Sequence, residues 1–306
     1  MRILIVGAGG VGGVFGAKLA ADGNDVTFVA RGAHREAMAR DGLRVLREAG
    51  DIHIEAPKLH ESPEATGLCD VVLVTVKLWD LEPAAELIRP MLSHDSAVVP
   101  LQNGVVAAEV LSAKLRPQCV LGGVAQVAAR IESPGVIRQT GGFEKLIFGE
   151  LDGSRSWRAE AFLSACESAG IDVTLSTDIA ADLWRKFVFL APMAGACAVN
   201  RCTLGEVLHD PQRRGELETL VSETLAVAAA KGIALAPDHG DKVMAHYAKL
   251  PEAVKPSMLH DLENGKRLEL DWLNGQVAKF GEELGIETPC NEGIAESLEP
   301  FALGRS

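Results

Sequence analysis

Lys186 lies in the run Ala181-Asp182-Leu183-Trp184-Arg185-Lys186-Phe187-Val188-Phe189-Leu190. At about 100° per residue it shares a helical face with Leu183, Phe189 and Leu190. Nearly the whole circumference is apolar, so this helix is expected to be buried. A buried ammonium is costly unless it is paired or put to use. The use its chemistry suggests is proton donation to a carbonyl that is being reduced.

A reductant site is legible at the other end of the chain. Gly7-Ala8-Gly9-Gly10-Val11-Gly12 fits G-x-G-x-x-G, follows the strand-like Arg2–Val6 and opens a helix. A second strand follows within about 30 residues, which is the context this motif needs to mean dinucleotide binding. Gly7 makes the tight turn, Gly9 lets a pyrophosphate approach the backbone, and Gly12 lets helix and strand pack closely. Free N–H groups of Gly10, Val11 and Gly12 at the helix start face the phosphates. The second strand ends in Phe28-Val29-Ala30-Arg31-Gly32, with Arg35 close behind and no acid to accept from ribose hydroxyls. A guanidinium suits a 2′-phosphate, so the cofactor is expected to be NADP, unless Arg31 is only a solvated strand end. Thr75-Val76-Lys77 and Gln102-Asn103-Gly104 end the next two strands. Ligands of open α/β sheets lie beyond such carboxyl ends, which makes Lys77 and Asn103 candidates rather than a surface charge and a plain turn.

These residues need elements to place them. The first half alternates strands and helices: strands at 2–6, 25–30, 43–46, 51–55, 70–76 and 97–101, and helices at 10–22, 33–40, 81–92 and 105–115. The β-branched run from Asp70 to Val76 marks a strand buried on both faces. Three β-like runs, 119–131, 135–140 and 145–149, suggest an antiparallel addition to a parallel sheet. A helix at 156–169 and a last strand at 171–175 follow. After Ser176 the pattern is helical: a helix capped by Thr177 with Pro192 disturbing its end, then 211–231, 238–249, 266–284 and 291–298. The expected architecture is α/β, a Rossmann-type doubly wound sheet over 1–175 that binds NADP, with a second, all-helical domain over 176–306 for substrate and catalysis.

Composition narrows the partners. A net charge of −12 over 306 residues argues against nucleic acid or an anionic membrane. The apolar start is broken by six glycines and shows no cleavage pattern, and no stretch is long enough to span a membrane. The six cysteines show no Cys-x-x-Cys spacing and no His cluster, so no metal site is expected and the thiols read as reduced in a cytoplasmic protein. The helix at 211–231 is compatible with a homodimer or with packing inside its own domain. Glu269 stands at the shoulder of a stripe formed by Leu270, Leu273, Val277, Phe280 and Leu284. It is either a helix-flank carboxylate paired with Lys266 or a group aimed into a site.

The motif at 7–12, Thr75-Val76-Lys77, Asn103-Gly104, Leu183-Trp184-Arg185-Lys186 and Glu269-Leu270-Asp271-Trp272-Leu273-Asn274-Gly275 occur in the order found in ketopantoate reductases (2-dehydropantoate 2-reductases), which the chain resembles over nearly its whole length. The resemblance implies NADPH-dependent reduction of a 2-oxo acid to a D-2-hydroxy acid in pantothenate synthesis. It implies Lys186 as general acid, Glu269 reaching toward substrate hydroxyl and cofactor, and Asn103 contacting both nicotinamide and substrate. Ala129 would lie against the cofactor, and Ser257 in Pro256-Ser257-Met258-Leu259 would bind the substrate carboxylate. The family carries asparagines four and eight residues after the lysine, where this chain has Leu190 and Ala194; a third aligns near Val254. These changes remove hydrogen-bond partners and add an apolar wall. The alternatives are therefore a 2-hydroxy acid dehydrogenase for a more apolar 2-oxo acid, or an NADP-binding protein without turnover.

Overall fold

Arg2–Val6 (β1) is a strand covered on both faces, with Ile3 through Val6 buried. Gly10–Ala21 (α1), Asp25–Val29 (β2), Gly32–Asp41 (α2), Leu43–Leu46 (β3), Ile52–Ile54 (β4), Lys58–His60 (β5) and Cys69–Val74 (β6) follow. Next come Leu81–Ile88 (α3), Leu92–Pro100 (β7), Ala107–Lys114 (α4), Leu121–Ser133 (β8), Val136–Glu150 (β9), Trp157–Ser168 (α5) and Val173–Leu175 (β10). This computed structural model describes residues 1–61 and 67–305. Met1–Gln102 and Val106–Asp182 form one unit; Asn103–Val105 and the chain from Leu183 onward form another.

In the first unit five strands lie in the order β5-β2-β1-β6-β7, all parallel. The order reverses between β1 and β6, so the glycine turn leaving β1 sits at the topological switch point, where open sheets bind ligands. The doubly wound parallel sheet expected from the alternating pattern is therefore present, with β5 added to it. The antiparallel addition takes a different form. β8 and β9 pair with each other in a second sheet, β10-β9-β3-β4 with β8 beside β9, and meet the first through an isolated bridge of Val98 with Val120. The runs 135–140 and 145–149 are one strand, since the register jumps from Ala128–Thr140 to Val127–Glu144 and residues 141–143 bulge out. One core joins both sheets through Phe15, Phe28, Ile137, Phe148 and Phe162, all fully buried or nearly so.

In the second unit the helices are Ile179–Asn200 (α6, whose first four residues belong to the first unit), Leu204–His209 (α7), Pro211–Ala230 (α8), His239–Tyr247 (α9), Ser257–Glu263 (α10), Asn274–Leu284 (α11) and Pro289–Leu298 (α12). No helix of the described residues is long and apolar enough to cross a membrane. α8 packs on α7, α9, α11 and α12. α7 opens with a capping box of Thr203 and Glu206, a local signal visible in the sequence.

Two helices differ from expectation. Pro192 does not disturb the end of α6; the helix runs on to Asn200. Proline removes one backbone donor and crowds the carbonyl a turn earlier. Here Ala191 through Ala198 are all buried, and the hydroxyl of Tyr247, the chain's single tyrosine, donates to the Phe189 carbonyl. Burial of this stretch outweighs the proline. The single helix expected over 266–284 is instead a short 3₁₀ turn, Leu270–Trp272, then α11, with Leu273 at φ −110° and ψ −103° between them. The pin is Asn274, fully buried, whose Nδ2 donates to Asn291 Oδ1 at 3.0 Å. Asn291 in turn donates to Glu223 from its amide at 2.9 Å and its side chain at 2.7 Å.

Candidate active site

The glycine turn is built as its residue types require. Gly7 has φ +104°, and a Cβ there would lie 2.9 Å from the Val76 amide nitrogen. Thr75 Oγ1 donates to the Gly7 carbonyl at 2.5 Å and to Val6 at 3.1 Å. A Cβ on Gly12 would collide with the Gly7 carbonyl and Thr75, so helix and strand touch backbone to backbone. Gly10 is equally confined, against the Ala129 carbonyl of β8. Gly9 is the contrast: a Cβ there would meet nothing within 4 Å. Gly9 also N-caps α1, with no side-chain cap bond and no acidic residue in the first turn. An open glycine at an uncapped helix start fits a pyrophosphate.

Around this turn, Arg31 is exposed at the N-cap of α2, directly after β2. Arg35 is half-buried and pairs with Glu61 at 3.1 Å. Lys77 is half-buried, with its Nζ 5.6 Å from the centroid of the Trp79 ring. Gln102 Nε2 donates to the Val74 and Val76 carbonyls, both at 2.9 Å, tying the end of β7 to that of β6. One residue was not legible in advance. His34 Nε2 lies 2.9 Å from the Ala8 carbonyl, and its Nδ1 accepts from the Gly135 amide at 3.1 Å. No local spacing signals a contact between residues 26 and 101 positions apart.

The second unit brings together Lys186, Asn103 and Glu269. Lys186 Nζ donates to Asn103 Oδ1 at 2.9 Å, and Asn103 Nδ2 donates to Glu269 Oε2 at 3.3 Å. The amide thus reads the ammonium with its oxygen and the carboxylate with its nitrogen. Glu269 is 4% exposed. It is not on a helix face as expected, but caps the 3₁₀ turn at 270–272. Lys186 is half-buried rather than buried, while its ammonium is packed about by protein. That burial lowers its pKa from 10.5 to about 8, and the Glu269 charge partly opposes the shift. An ammonium that releases its proton near neutral pH can act as a general acid. Trp184 fixes the helix beside it, 5.3 Å from Phe187 and 6.1 Å from Phe280 between ring centroids. One turn on from Lys186 stands Leu190, half-buried, and two turns on Ala194, buried. Ser257 is exposed at the start of α10.

Comparison with known proteins gives the family. The profile of the ketopantoate reductase PanE/ApbA family matches residues 3–153, and that of its C-terminal domain matches 178–301. The chain belongs to the ketopantoate reductase family. It is 34% identical to a 2-dehydropantoate 2-reductase of Archaeoglobus fulgidus, over 99% of this chain and 98% of that one. It is 31% identical to the uncharacterized oxidoreductase YkpB of Bacillus subtilis, over 98% and 99% of the two chains. The crystal structure of 2-dehydropantoate 2-reductase from Geobacter metallireducens superposes with a TM-score of 0.91 at 31% identity, covering 98% of this chain and 99% of that one. This ketopantoate reductase family member is an oxidoreductase dependent on NAD(P)H.

Proposed function

We propose that the protein reduces a 2-oxo acid to a D-2-hydroxy acid with NADPH, ketopantoate to pantoate in cytoplasmic pantothenate synthesis being the first reading. The observation that carries it is the chain Lys186–Asn103–Glu269, at 2.9 and 3.3 Å. The nicotinamide, when bound, supplies the hydride. Lys186 stabilises and protonates the oxygen as negative charge develops there. Asn103 orients the ammonium and touches the substrate, and Glu269 keeps the lysine charged. Ser257 holds the substrate carboxylate. Gly7 to Gly12 receive the pyrophosphate, and Lys77 and Ala129 flank the dinucleotide.

Arg31 receives the 2′-phosphate. In Arg31→Ala the Kd for NADPH should rise about ten- to hundredfold, the worth of a charge-assisted contact, while that for NADH stays nearly constant. Equal affinities of wild type and variant for NADPH in a fluorescence titration would remove this role.

Leu190 and Ala194 favour a second reading, a 2-oxo acid with a more apolar side chain. NADPH oxidation with ketopantoate beside branched and aromatic 2-oxo acids separates the two. If the apolar acid is preferred, Leu190→Asn should shift the ratio of kcat/KM values toward ketopantoate by about tenfold or more, because a polar wall accepts a hydroxyl that an apolar one leaves unpaired. An unchanged ratio would show that position 190 does not face the substrate.

A further inference from the structure

We infer that His34 is a positioning residue for the glycine turn, and that its neutral imidazole sets the direction in which the Gly9 amide points. The hydrogen bonds fix the tautomer. The Gly135 amide can only donate, so Nδ1, 3.1 Å away, is bare. The ring proton is therefore on Nε2, which donates to the Ala8 carbonyl at 2.9 Å. That carbonyl and the Gly9 N–H belong to one planar trans peptide and point in opposite directions. Drawing the carbonyl toward His34 turns the Gly9 N–H away from it. Gly9 is also the residue of the turn at which a Cβ would meet nothing within 4 Å, the open place where an anionic ligand can approach the backbone.

The ring is itself held from two further sides. It projects from α2, and it grips Gly135 in the turn between β8 and β9. That strand pair touches the glycine turn a second time, where the Ala129 carbonyl lies against Gly10. Burial depresses the imidazole pKa below 6.5, in keeping with a ring that must stay neutral to accept from Gly135.

The test uses the full chain and two substitutions that split the ring's two bonds. His34→Asn keeps an acceptor at the Nδ1 position but does not reach Ala8. His34→Gln keeps a donor at the Nε2 position. In fluorescence titrations with NADPH and NADH, His34→Asn should bind about tenfold more weakly than wild type, the worth of one hydrogen bond. His34→Gln should bind within about threefold of wild type. A merely structural histidine would weaken binding in both variants in step with their melting temperatures. Wild-type affinity in the Asn variant, or equal loss in both, overturns the inference. Should the Asn variant fail to fold, ¹⁵N correlation spectra of the wild-type imidazole decide: the Nε2–H tautomer is expected at neutral pH, and Nδ1–H or imidazolium overturns the assignment. Absence of dinucleotide binding by the wild type would instead overturn the cofactor site and this inference with it.

Discussion

Lys186→Ala should lower the turnover number for 2-oxo acid reduction by about 10²- to 10⁴-fold, the range for loss of a placed general acid, with NADPH affinity nearly intact. The glycine turn that would hold the dinucleotide is built from residues 7–12, between β1 and the start of α1. What the alanine removes is an ammonium placed 2.9 Å from Asn103 Oδ1. The pH profile gives an independent check. The lysine is protonated below about 8 and loses its proton as pH rises through that value. Reduction should therefore slow above pH 8, and the reverse oxidation, which needs the neutral amine as base, should quicken there. Stability carries the opposite sign. A lysine at about 8 in the fold and 10.5 when unfolded binds fewer protons in the native state, so the fold gains stability as pH rises between those values. Lys186→Met should accordingly lose that gain, its melting temperature changing less than wild type's between pH 8 and 10.5, while remaining inactive. Turnover in Lys186→Ala within threefold of wild type would end the assignment.

Glu269→Gln should lower kcat/KM by about ten- to hundredfold, the worth of one charge-assisted hydrogen bond, and move the alkaline limb of the kcat profile to lower pH. The substitution preserves volume at a site only 4% exposed and preserves an acceptor for Asn103 Nδ2. It removes the negative charge, and that charge is what raises the Lys186 pKa against the effect of burial. Without it the ammonium gives up its proton more readily. The limb should thus fall below pH 8, and Glu269→Asp should restore part of the shift. An alkaline limb at the same pH in wild type and Glu269→Gln would show that the carboxylate does not act through the lysine.

The parts legible from the residues alone are those whose physics is local. A turn that needs φ +104° at Gly7, an uncovered backbone at Gly9 and backbone contact at Gly12 can be built by few residues other than glycine, so the motif announces itself. The β-branched run at 70–76 could only be a strand covered on both faces, and Val71 through Val74 are buried. Lys186 was conspicuous because its ammonium shares a helical face with Leu183, Phe189 and Leu190.

Other features depended on groups distant in the chain. Pro192 is a local stop signal, yet α6 continues to Asn200 through a stretch, Ala191 through Ala198, that tertiary packing buries. The periodicity over 266–284 is helical, yet Asn274 is tied to Asn291 and the helix starts only there. The two β-like runs after 134 form one bulged strand of a second sheet because β3 and β10 flank it.

By itself, then, the sequence determined a tight glycine turn after the first strand, a parallel α/β half, a helical half and a lysine out of place. Tertiary structure alone decided that this lysine meets Asn103 across 83 residues, that Asn103 meets Glu269 across 166, and that His34 reaches Ala8. The physical reason is range. Backbone conformation and amphipathic period are written within a few neighbouring residues, whereas a hydrogen bond between side chains depends on distances that only the folded chain sets.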